Sequence, residues 1–267
     1  VKRNRQVSTV MDEKERSRLG IDLSPVVTGP VSVQVNETKQ AQTYKLDFTN
    51  STLSLPWVGW SKGKGIEAVG EFRLSRSGES VNLNEFKLVG PGFSGQGDLV
   101  MDKRGLVSAE LSKVKLNEGD DFKLGVKRNE GVYSIIASGA SFDARGVMNA
   151  LFHQGGFDEA EGKRSVNVVA EFETVRGFGR RVIKKATLNY SSREGRLFEL
   201  IVKASGSAGR SYSVIAKQEA GQTRFVVDAN DAGTVLAFTD IYTKMEGGRL
   251  GANLVRAPSG PYIGPVV

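Results

Sequence analysis

The sequence predicts a mainly β protein: antiparallel β-meanders forming an elongated, curved or groove-like sheet, or a β-sandwich, with two short capping α-helices. Three observations carry this expectation. Apolar residues recur with a period of two over most of the chain, as half-buried strands require. Turn signals rich in Gly, Asn, Asp and Ser separate these runs at short spacing. Glycine is abundant, at 32 of 267 residues, while proline stands at 7, which excludes collagen-like and Pro-rich linker sequences.

Residues 1 to 20, VKRNRQVSTVMDEKERSRLG, are polar and mixed in charge. Glu13, Lys14, Glu15 and Arg18 offer favourable short-range pairs over a helical turn or two, but no apolar stripe accompanies them, so the segment reads as a linker or frayed end. A first meander with a short helix spans 21–155. Val31, Val33 and Val35 share one face of its first strand, and Tyr44, Leu46 and Phe48 one face of the next. Further strands follow at 70–74, 81–88, 97–101, 106–111, 122–126 and 132–137, each bounded by a turn signal such as SRSGES, LNEGDD or KRNEG.

A second meander spans 156–267, with longer and more continuously apolar strands beginning at SVNVVAEFETV, 165–175. One face of this sheet is expected to be the more deeply covered. Two punctuated helices interrupt the pattern. In SFDARGVMNALFHQGG, Ser141 or Asp143 caps the start, Val147, Met148, Leu151 and Phe152 fall on one side, and Gly155 and Gly156 end it. In DAGTVLAFTDIYTKMEGG, Asp231 caps a helix over 231–246, Leu236, Phe238, Tyr242 and Met245 continue the apolar stripe begun at Val235, and Gly247 with Gly248 stops it. RLGANLV then starts another strand. Both helices follow a meander and begin in Asp-Ala with a Gly close behind, DARG and DAG, a weak internal repeat.

Composition excludes several function classes. With no Cys, disulfides, thiolate metal sites and a Cys nucleophile are ruled out. Lys plus Arg 37 against Asp plus Glu 30 gives a formal charge of +7, which permits attraction to phosphates, anionic lipid or an acidic partner. The signs are interspersed, so a solvated surface is expected and no nucleic-acid partner. No apolar run approaches the roughly 20 residues of a spanning helix, and no leader opens the chain. It begins without Met and reads as a piece of something longer.

Single residues point the same way. His153, the only histidine, suits the terminal carbonyls of a helix better than a metal or triad. Trp57 and Trp60 read either as a loop packed over the sheet end or as a rim meeting lipid headgroups. Arg180, Arg181, Lys184 and Lys185 form the densest basic cluster, read as the solvated face of a strand or as a phosphate contact. GPGFSGQG lacks the Lys-Ser/Thr of a phosphate loop. Asp120, Asp121 and Asp143 are too scattered for a catalytic pair, and Ser54, Ser94 and Ser141 lack a nucleophile elbow. No catalytic residue, metal or cofactor is expected, and the chain is not read as an enzyme.

DANDAGTVLAFTDIYTKMEGGRLGANL, 228–254, resembles the segment that ends a β-meander in bacterial AsmA-like (DUF3971) proteins. The shared pattern is Asp231, Gly233, Leu236, Tyr242, Gly247, Gly248 and Leu250; 139–152 and 53–74 resemble the same family. The resemblance implies a periplasmic cell-envelope protein, anchored in the inner membrane outside this segment, whose β-groove shelters phospholipid acyl chains in transit between the inner and outer membranes. On this reading the chain is a membrane-protein fragment, with Leu236, Phe238, Tyr242, Met245 and Phe152 as groove or capping residues and phospholipid as partner. The alternative is a non-catalytic structural or interaction domain that binds another envelope protein.

Overall fold

The computed structural model describes residues 5–18, 26–37, 42–153, 165–257 and 260–267. The predicted fold class holds: the chain consists of mostly antiparallel β-meanders with three short α-helices among the described residues. It divides into two compact units, Val1–Arg128 and Asn129–Val267, whereas the sequence places the break after 155.

The first unit contains, in chain order, β1 (Arg5–Met11), α1 (Glu13–Arg18), β2 (Val27–Thr28), β3 (Val31–Glu37), β4 (Gln42–Asp47), β5 (Thr52–Leu55), β6 (Trp60–Lys62), β7 (Val69–Ser77), β8 (Ser80–Gly90), β9 (Phe93–Asp102), β10 (Gly105–Lys115) and β11 (Asp121–Asn129). Its main sheet has the order β1-β3-β4-β7-β8-β9-β10-β11, antiparallel throughout, and β2-β5-β6 form a second small sheet. Val27 and Leu53 of the small sheet pack with Val31, Val33, Phe48, Ala68 and Phe93 in one buried cluster.

Residues 5–18 are no linker. β1 pairs with β3 over seven residues, Arg5↔Glu37 to Met11↔Val31. A reciprocal capping box starts α1: the Asp12 amide donates to the Glu15 carboxylate at 2.9 Å, and the Glu15 amide donates to the Asp12 carboxylate at 2.8 Å. Arg16, only 5% exposed, donates from its guanidinium to the carbonyls of Met11, Val27 and Gly29. A buried arginine with three backbone hydrogen bonds replaces the apolar stripe whose absence suggests a loose end.

The second unit contains β12 (Val132–Asp143), α2 (Arg145–His153), β13 (Ser165–Arg176), β14 (Val182–Arg193), β15 (Arg196–Ser205), β16 (Ser211–Glu219), β17 (Gln222–Ala229), α3 (Ala232–Phe238), β18 (Leu250–Arg256) and β19 (Tyr262–Ile263). They hydrogen-bond in sequence order, from β12 to β19. One pair departs from the meander: β12 and β13 are parallel, Val132↔Ser165 to Asp143↔Arg176, with α2 in the crossover. That pairing is why β12 belongs to the second unit. It also brings the last residues of β12, β13, β15 and β17 to one end of the sheet, together with the first residues of β14, β16 and β18.

α3 is shorter than the predicted 231–246. It ends because Asp240 adopts a left-handed conformation, φ 62°. The Ile241 amide then bonds the Leu236 carbonyl at 2.9 Å and the Asp240 amide the Ala237 carbonyl at 3.3 Å, the Schellman arrangement. Tyr242 and Met245 keep helical spacing in sequence but lie beyond this stop. The expectation of a membrane-protein fragment is also corrected: no helix among the described residues is long and apolar enough to cross a membrane, and neither unit's main sheet closes on itself.

Candidate functional site

In the second unit, strand register gathers the apolar residues on one sheet face, since directly paired residues point the same way. One row runs Ala170, Leu188, Val202, Val214, Val227 and Ala252; the next runs Val168, Tyr190, Leu200, Ala216, Phe225 and Leu254. Nearer the helices lie Phe172, Ala186, Ala204, Tyr212 and Ala229, all buried. Leu188, Val202, Val214 and Val227, one row away, are only half-buried. The reverse face carries the Lys217–Glu199 ion pair at 2.8 Å and the Arg224–Asn253 hydrogen bond, with Ile201, Ile215 and Val226 as its apolar row.

The segment from Asp231 to Gly248 forms the lid at the end of this face. Asp231, 2% exposed, caps α3: its carboxylate accepts from the Thr234 amide at 3.2 Å and hydroxyl at 2.6 Å, and ion-pairs with Arg210 at 3.0 Å. The amides of Ala232 and Gly233 donate to the carbonyls of Gly248 and Gly247, both at 2.9 Å. Gly247 and Gly248 turn with φ 64° and 80°, which favour glycine. Gly233 lies against the Met245 carbonyl, and the Phe238 ring lies against Gly177, where a side chain would displace it. The Phe178 amide donates to the Phe238 carbonyl at 3.0 Å, tying α3 to the β13–β14 turn. Leu236 is half-buried on α3, while Tyr242 is 52% exposed. Phe152 and His153 lie in the last turn of α2, and their side chains fall outside the described residues.

A second buried carboxylate stands at the same end. Asp143 accepts from the Arg145 amide at 3.1 Å and ion-pairs with its guanidinium, placing a charged cap at the start of α2. Burial alone would push both carboxyls up. The Arg145 contacts at Asp143, and at Asp231 the Thr234 bonds with the Arg210 and Arg181 charges, outweigh it and hold both below the usual 3.8. Native-state values below the unfolded one mean that the two groups contribute stability fully present above pH 3.8 and lost as pH falls through their native values. Urea unfolding from pH 6 to pH 2 should therefore show a plateau that declines only below about pH 4, with a shallower decline in Asp231→Asn. An unchanged acid slope in that variant would remove Asp231 from the account.

The basic cluster falls on this end too. Arg180 sits in the β13–β14 turn with φ 56° and Lys185 on β14 with φ 48°. Arg180, Lys184 and Lys185 are exposed, and Arg181 is half-buried. Sequence reading missed Arg210 and Tyr212. Burial raises the Tyr212 phenol above its ordinary value, with the Thr234 hydroxyl, Asp231, Arg210 and Arg181 around it. Their only sequence signal was adjacency to turns.

The first unit repeats the one-sided pattern, with Leu83, Leu99, Ala109 and Val126 in one row and Phe86, Gly97, Leu111 and Leu124 in another. Its covered end is the small sheet. Trp60 packs edge-on against Phe93, centroids 5.2 Å apart, and donates to the Leu116 carbonyl at 2.7 Å, so its indole is fixed inside the fold; Trp57 is half-buried in the 3₁₀ turn Pro56–Val58. A cavity of about 220 Å³ beside them is lined by Trp60, Lys62, Ile66, Phe93 and Glu118 among others. Among the described residues no group of three or more His, Cys, Asp or Glu side chains could hold a metal ion. Comparison with protein-family models, curated proteins and solved structures gave no match.

Proposed function

We propose that this chain is a segment of an AsmA-like periplasmic cell-envelope protein whose apolar β face shelters phospholipid acyl chains for transport between the inner and outer membranes, a non-catalytic role in outer-membrane biogenesis. The observation that carries this reading is the half-buried row Leu188, Val202, Val214 and Val227, continuous across four strands. β13 and β14, twelve residues each, extend roughly 40 Å, against about 15 Å for the hydrocarbon of one leaflet. Each CH₂ that leaves water for such a face contributes about 0.8 kcal/mol. The sequence pattern Asp231, Gly233, Gly247, Gly248 supports the family reading, since these residues build the lid at the end of the same face.

The test is native mass spectrometry with lipid extraction on the chain purified from a bacterial periplasm. Phospholipid should co-purify with the wild type and be lost in Val202→Asp and Val214→Asp, each checked for retained folding by circular dichroism. A folded wild-type chain that carries no lipid would overturn the reading and turn the search to an envelope protein partner.

A further inference from the structure

The end of the second unit's apolar face that α3 covers is also its most basic part. The residues converge there because of topology: Arg176 ends β13, Arg180 and Arg181 form the following turn, Lys184 and Lys185 begin β14, and Arg210 precedes β16. The two buried acids at this end are already engaged, Asp143 with Arg145 and Asp231 with Arg210. Arg176, Arg180, Lys184 and Lys185 are exposed, and no carboxylate lies within ion-pair distance of them among the described residues. Glu171 and Glu173 of β13 are the exposed acids beside this cluster, lining one shallow pocket with Lys185, and the charge of Arg176 reaches the buried Asp143.

Two details connect the cations to the apolar face. The charge of Arg181 reaches both Asp231 and the phenol of Tyr212, which closes the buried row of that face. Arg180 occupies a left-handed turn position beside Gly179, φ 56° and 58°, where Gly or Asn is the less strained choice. A cation is thus held at a backbone position that does not favour it.

We propose that this basic rim takes the anionic headgroup of a glycerophospholipid whose acyl chains lie on the adjoining apolar face, so that the site prefers lipids of net negative charge over zwitterionic ones. The inference rests on the acyl-chain reading above and adds the headgroup class. A phosphodiester oxygen supplies the acceptors that guanidinium groups pair with in charge-assisted hydrogen bonds. The ammonium of a zwitterionic headgroup would meet the same cations with like charge.

The experiment is calorimetric titration of the full chain with dihexanoyl phosphatidylglycerol and dihexanoyl phosphatidylcholine below their micelle concentrations, and with glycerophosphoglycerol, which has the head and no tail. The wild type should bind the phosphatidylglycerol at least about tenfold more tightly than the phosphatidylcholine, from roughly fivefold per basic residue. The triple variant Arg176→Gln, Arg180→Gly, Lys184→Gln should bring the two within about twofold, chiefly by weakening the binding of phosphatidylglycerol. Arg180→Gly relieves the turn, and thermal unfolding of the variant at no lower a temperature than the wild type is the control. Equal affinity of the wild type for both lipids, or an undiminished preference in the folded variant, would overturn the headgroup assignment and leave the apolar-face reading standing. Binding of neither lipid would overturn both, and binding of glycerophosphoglycerol as tight as that of the lipid would reassign the rim to free phosphate esters.

Discussion

Replacing Lys62 by Met is expected to destabilise the protein by about 3 kcal/mol, the largest single-residue effect outside the apolar faces. Lys62 is 2% exposed, and its ammonium donates to three backbone carbonyls, those of Phe48, Thr49 and Ser51. Three donors meet three acceptors, so this cation is fully satisfied. Burial lowers its pKa, and the nearby Asp47 charge draws it back up. Met fills the same volume but leaves the carbonyls of the 48–51 turn without a partner, beside the core residues Phe48 and Ala68. Urea denaturation followed by tryptophan fluorescence reads the loss directly. A change below about 1 kcal/mol would mean that water replaces the ammonium at these carbonyls.

Gly233→Ala should cost about 2 kcal/mol and act locally. A methyl group there would press on the Met245 carbonyl, 2.8 Å from its carbon and 2.9 Å from the Glu246 Cα, with the oxygen closer still. These are backbone atoms, held by the paired bonds from Ala232 and Gly233 to Gly248 and Gly247, so they cannot turn aside as a side chain would. The helix must lift from the 245–248 turn. Hydrogen exchange at the Ala232 and Gly233 amides should accelerate much more than in β14 or β15. Uniform acceleration across the second unit would show that α3 does not open separately.

Most strands were legible because alternation and Gly-containing turns are local properties. β3, β4 and β7 to β18 all fall where period-two runs stand in the sequence. What escaped depends on partners distant in the chain. α1 rests on Arg16 reaching carbonyls of β2 and Gly29, which no helical periodicity encodes. The parallel β12–β13 pair has the same strand pattern as an antiparallel one, so only the structure distinguishes them. The reach of α3 was overestimated because apolar spacing continues to Met245, while the stop lies in the conformation of Asp240. The capping role of Asp231 and the turning role of Gly247 and Gly248 were readable from residue type. The convergence of Arg210, Arg181 and Tyr212 on Asp231 was not, since it needs the register of four strands.

The α2 crossover sets the direction of everything after it. Had a hairpin joined β12 to β13, each later strand would run the opposite way, and α3 with Asp231 would leave the sheet at the far side from Asp143. One helix works as a half-period shift in an alternating series. A chain that lengthens by adding hairpins has only parity with which to direct its loops, and parity fixes them two by two on opposite margins. A single inserted crossover resets the count, so that an acidic cap and an arginine-rich turn first placed on opposite margins become neighbours without a change in any strand.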